Sequence, residues 1–64
     1  MDRENIKKLR LDMGRSQAEM AKVVGSSRAT VNRWETGETK PLPKFVDTLE
    51  KLWRFTYGED YDKG

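Results

Sequence analysis

The sequence predicts an all-α domain, a compact bundle of four helices or of five. Three observations predict it. Apolar residues recur at helical spacing, as in Ile6, Leu9 and Met13, or Phe45, Val46, Leu49, Leu52 and Trp53. Glycines 14, 25 and 37 each follow such a run, where helices end. No stretch alternates apolar and polar residues in the manner of a strand. At 64 residues the chain makes one small domain with a modest core.

Asp2 suits an N-cap, and a first helix is expected over about 3–13, with Ile6, Leu9 and Met13 inward and Leu11 on the flank. Gly14 ends it and Arg15 bridges to Ser16. Ser16 and Glu19 have the spacing of a capping box, so a second helix is expected over about 17–24, with Met20, Ala21 and Val24 inward. Ala21 is small enough to let a neighbouring helix cross closely. Gly25 suits a left-handed C-terminal cap. Ser26 or Ser27 then caps a third helix over about 28–35, which turns Val31 and Trp34 inward and Arg28, Ala29, Asn32 and Arg33 outward. Thr36–Gly37 stops it, and a loop from Glu38 to Leu42 follows. Pro43 fits a first helical position, and a fourth helix is expected over about 44–55. Met13, Met20, Trp34, Phe45 and Leu49 are expected in the core. Trp53, Phe55 and Tyr57 exceed what so small a core holds, and an exposed remainder would form a partner surface. The domain is expected over 1–58 and a flexible acidic tail over 59–64.

Composition narrows the chemistry. The absence of cysteine rules out disulfides and thiolate metal sites, and the absence of histidine removes the commonest general base and metal ligand. The carboxylates of Asp2, Glu4, Asp12, Glu19, Glu35, Glu38, Asp47 and Glu50 are scattered over caps and exposed faces, with no nucleophile–base pair, so no enzyme, cofactor or metal site is expected. No segment has the pattern of a signal peptide or a membrane span, which makes a cytoplasmic location the expectation. The net charge of +2 hides an asymmetry. Residues 1–54 carry 12 basic and 8 acidic side chains, whereas Glu59, Asp60, Asp62 and Lys63 leave 55–64 at −2. A basic body with an acidic tail suits a phosphate-facing domain. Between Ser26 and Trp34 the outward face holds two arginines, an asparagine and small residues, with no acid, which suits a polyanion.

The run LRLDMGRSQAEMAKVVGSSRATVNRWETGETKP resembles the Cro/repressor, or XRE-type, helix-turn-helix family of bacteria and their phages. The likeness covers residues 5–52 and is most specific at SQAEMA, the Gly25 turn and TVNRWETGETKP. It implies a bundle of the phage-repressor DNA-binding type that binds double-stranded operator DNA, commonly as a homodimer and commonly as a repressor. By position it implies that Ser27, Arg28, Ala29, Asn32 and Arg33 face base edges or adjacent phosphates. Gln17, Thr39, Lys40 and Lys44 would lie along phosphates, and Arg10 with Glu35 would bridge the first helix to the third. Independently of the resemblance, the backbone N–H groups at the start of the Ser16 helix make an anion site that adds to the phosphate contacts. The sequence departs from the family at Ser26, where many members have an apolar residue, at Pro41 and Pro43, and in lacking a clear fifth helix, which often serves dimerisation.

A helix in the major groove meets a distinct pattern of donors, acceptors and methyls at each base pair. Arg28 is the candidate for guanine, Ala29 leaves room for a thymine methyl, Asn32 is suited to adenine but short, and Arg33 reaches either a base or a phosphate. One such helix covers few base pairs, so two half-sites and a dimer are expected. Two other readings keep the same fold: an antitoxin that also binds a protein, through Trp53, Phe55 and Tyr57, and an interaction module that has lost DNA.

Overall fold

The computed structural model describes residues 1–62. Each of the first three helices opens on a polar side chain that accepts a free backbone N–H. Asp2 accepts from Asn5 at the head of α1 (Arg3–Asp12). Ser16 and Glu19 form the reciprocal capping box of α2 (Gln17–Val24), at 3.1 and 2.8 Å. Ser27, rather than Ser26, caps α3 (Arg28–Thr36) by accepting from Thr30. The fourth helix, α4 (Pro43–Tyr57), has no side-chain cap and relies on Pro43, whose missing N–H needs no partner in a first turn.

Between α2 and α3 the chain turns on Gly25, at φ 80°. The N–H groups of Gly25 and Ser26 both donate to Ala21 O, at 2.9 and 2.8 Å, which closes α2 and aims Ser27 into the next cap. The core joins Ile6 and Leu9 of α1, Met20, Ala21 and Val24 of α2, Val31 and Trp34 of α3, and Leu49 of α4. Trp34 packs on Phe45, with ring centroids 5.3 Å apart. Met13 and Phe45, expected inside, sit half-buried at the edge of this core, because each lies near the end of its helix where fewer neighbours close over it. Among the described residues no helix is long and apolar enough to cross a membrane.

The C-terminal end departs most from expectation. Helix α4 continues to Tyr57, two residues past the expected end. The reason is contact: Trp53 and Tyr57, one turn apart, lie half-buried against the core with ring centroids 4.4 Å apart. Gly58, at φ 73°, then reverses the chain. Tyr61 comes back edge-on to Trp53, 4.9 Å between centroids, and its hydroxyl accepts from Asn5 Nδ2 at 2.9 Å. Arg54 pairs with Asp60 at 2.6 Å. The segment expected to fray from 59 is thus tied to α1 and α4 as far as Tyr61, and the rest of that expectation, at 63–64, lies outside the described residues.

Candidate nucleic-acid interface

Helices α2 and α3 hold the site. Helix α3 buries Val31 and Trp34 and leaves Arg28, Ala29, Asn32 and Arg33 exposed, as 3.6-residue periodicity requires when the inward positions are three apart. Arg28, Ala29 and Asn32 line a groove of about 340 Å³ together with Gln17, from the first turn of α2. Four of the expected contact residues therefore share one surface, drawn from both helices of the hairpin.

Behind this surface runs a chain of hydrogen bonds. Arg10 grips Glu35 with two parallel bonds, Nε to Oε2 at 2.7 Å and Nη2 to Oε1 at 2.9 Å, and gives Nη1 to Arg15 O at 3.0 Å. The pair is sheltered, with side chains 11% and 4% exposed. Burial on its own would raise the Glu35 pKa. The bonds from Arg10 and Gln17, with the charges of Arg10 and Lys7, outweigh it and hold the carboxyl below its ordinary value. Gln17 Nε2 donates to Glu35 Oε1 and to Asn32 Oδ1, each at 3.2 Å. Sequence spacing gave no sign of this last link. It arises because α2 packs on α3, which sets residue 17 beside residues 32 and 35.

The remaining residues differ in how free they are. Arg28, Lys40 and Lys44 are exposed, and among the described residues none of them pairs with a carboxylate. Lys44 Nζ lies 5.0 Å from the Phe45 ring centroid. Arg33 has Glu38 at 3.8 Å, an exposed and loose pairing. Ser27 is exposed, but its hydroxyl is engaged with Thr30 Oγ1 at 2.9 Å as well as with the Thr30 N–H. Thr39 is exposed in the loop, its N–H donating to Arg33 O at 3.3 Å. Ser16 accepts from Glu19, and the backbone N–H groups that open α2 lie at the positive end of its dipole.

Of the three aromatic residues expected as a partner surface, the structure exposes one. Phe55 is 89% exposed, whereas Trp53 and Tyr57 face α1. Tyr57 donates its hydroxyl to Asp12, and Lys8 Nζ donates to Asp12 at 2.9 Å and to the Tyr57 oxygen at 3.1 Å.

A family model described as helix-turn-helix matches residues 6–52, from the first buried position of α1 through most of α4. No curated protein and no solved structure matches the chain.

Proposed function

This chain belongs to the Cro/repressor, or XRE-type, helix-turn-helix family of DNA-binding proteins, and on that premise we propose that it is an operator-binding repressor working as a homodimer in the cytoplasm. The observation that carries the reading is the α3 face. It is exposed from Arg28 to Arg33, contains no acid, and its leading cation has no internal partner among the described residues.

Arg28, in the first turn of α3, reads guanine through its two-pronged guanidinium. Ala29 and Asn32 meet the neighbouring base edge. Arg33, already loosely paired with Glu38, reaches a base or phosphate beside it. Ser27 supports the face as its helix cap and lies against it. Ser16, Thr39, Lys40 and Lys44 hold the backbone register. Gln17 contributes there through its backbone N–H, since its side-chain N–H groups are occupied by Asn32 and Glu35. Arg10 and Glu35 fix the tilt of α3 against α1 and touch no DNA.

A single α3 spans a few base pairs, so useful specificity calls for two half-sites about one helical turn apart. A dimer laid over both would cover enough duplex to exclude another protein from it, which is the simplest route to repression. Exposed Phe55 at the far end of α4 is a candidate anchor for the second protomer. Selection of bound fragments from random duplex DNA, at fixed salt, tests the reading. The expected result is an inverted repeat with guanine in each half. Fragments with no shared sequence would contradict it.

A further inference from the structure

The side-chain amide of a free asparagine can offer either its oxygen or its nitrogen to a base. At position 32 the fold has chosen, and the choice starts in the interior. Glu35, held ionised against Arg10, can only accept. Its Oε1 takes an N–H from Gln17 at 3.2 Å. The reversed Gln17 amide would set a carbonyl oxygen against that carboxylate, so its nitrogen must face α3. The same nitrogen gives its second hydrogen to Asn32 Oδ1 at 3.2 Å. Asn32 must therefore turn its oxygen to Gln17 and its Nδ2 the other way. Each amide is oriented by the group before it, back to Arg10.

We infer that this relay makes Asn32 read through its Nδ2 donor, and that Asn32 and Ala29 together select thymine. The inference rests on the DNA-binding reading above. An unrestrained asparagine reads adenine with both ends, donating to N7 and accepting from the N6 amino group. Asn32 Oδ1 has one of its two lone pairs committed to Gln17, and its Nδ2 is turned outward, so the bidentate contact is handicapped and the donor leads. Thymine asks for less: its O4 accepts one hydrogen, and the adjacent C5 carries a methyl. Ala29 lies one turn before Asn32 on the same face, and both line the groove beside Arg28. A methyl against Ala29 with O4 accepting from Asn32 Nδ2 matches the thymine edge. Guanine supplies acceptors without the methyl, and cytosine sets its N4 donor against another donor. Gln17 and Glu35 are positioning residues here. They act on the base only through Asn32.

Selection from random duplex with the wild type and with Asn32→Ala identifies the base pair that residue 32 reads. At that pair, thymine is replaced by uracil, which keeps O4 and drops the methyl, or by 5-methylcytosine opposite guanine, which keeps the methyl and turns the acceptor into a donor. The expected losses of affinity are about tenfold for 5-methylcytosine and a few-fold for uracil. Gln17→Met removes the amide at nearly constant size. It is expected to admit adenine at that pair while preferences elsewhere stay put. A purely structural role for Gln17 would weaken all sites alike and leave the thymine preference intact, and that result overturns the relay. Adenine preferred by the wild type, or equal binding of thymine and 5-methylcytosine, overturns the thymine assignment. Failure to bind any duplex at low salt overturns the DNA-binding reading and this inference with it.

Discussion

The two ends of this bundle are both rich in cations, yet they use them in opposite ways. On the α1–α4 side, Lys8 is engaged with Asp12 and Tyr57, and its ammonium lies 4.2 Å from the Tyr57 ring centroid. Asn5 is engaged with Tyr61, and Arg54 with Asp60. On α3, in the loop after it and in the first turn of α4, Arg28, Lys40 and Lys44 are exposed, and none pairs with a carboxylate among the described residues. A charge count treats Lys8 and Arg28 alike. The difference is that one has its counter-charge supplied by the fold and the other awaits it from outside. Where donors are already matched, a surface is structure; where they are left open beside a helix N-terminus, it is a place for phosphates and bases.

Substitutions on either side put that contrast to the test. The largest effect belongs to the buried link between the two ends. Arg10→Ala strands Glu35, whose side chain is 4% exposed, and should cost about 3 kcal/mol of folding free energy, read from urea denaturation. The same carboxyl sets an acid limit. Because Glu35 and Asp12 are both held below their ordinary values, the unfolded chain takes up protons first as the pH falls. Their stabilisation is present at neutral pH and is lost as the pH drops through and below about 4. Thermal unfolding between pH 7 and 3 should show this, and Glu35→Gln should flatten the curve.

Tyr57→Phe comes next. It removes the hydroxyl that donates to Asp12 and should lower the urea midpoint slightly while leaving DNA affinity unchanged. A fall in affinity would show that the two ends are coupled. Smallest is Lys40→Ala, which should leave stability alone, weaken binding to all sequences alike and lower the salt slope by about one.

Most of the fold was legible because local rules agreed with one another. The Ser16–Glu19 box, the Gly25 turn and the Val31–Trp34 spacing each marked the hairpin, and the core followed from it. What escaped was whatever depends on how helices lie against each other. The tie from Gln17 to Asn32 joins residues 15 apart and appears only once α2 and α3 are crossed. The docking of Tyr61 on Trp53 depends on α4 lying along α1, so the tail read as merely polar. Trp53, Phe55 and Tyr57 read as one group in sequence, but 100° per residue puts Phe55 on the other side of α4 from its neighbours.

The most direct measurement is a salt titration of binding to one selected duplex by three proteins: wild type, Arg28→Ala/Arg33→Ala, and Tyr57→Phe. The logarithm of the wild-type association constant should fall linearly with the logarithm of salt concentration. The double variant should bind at least about tenfold more weakly and lose its preference for the selected sequence, while Tyr57→Phe follows the wild type. Equal binding by wild type and the double variant would contradict the assignment of the α3 face to DNA.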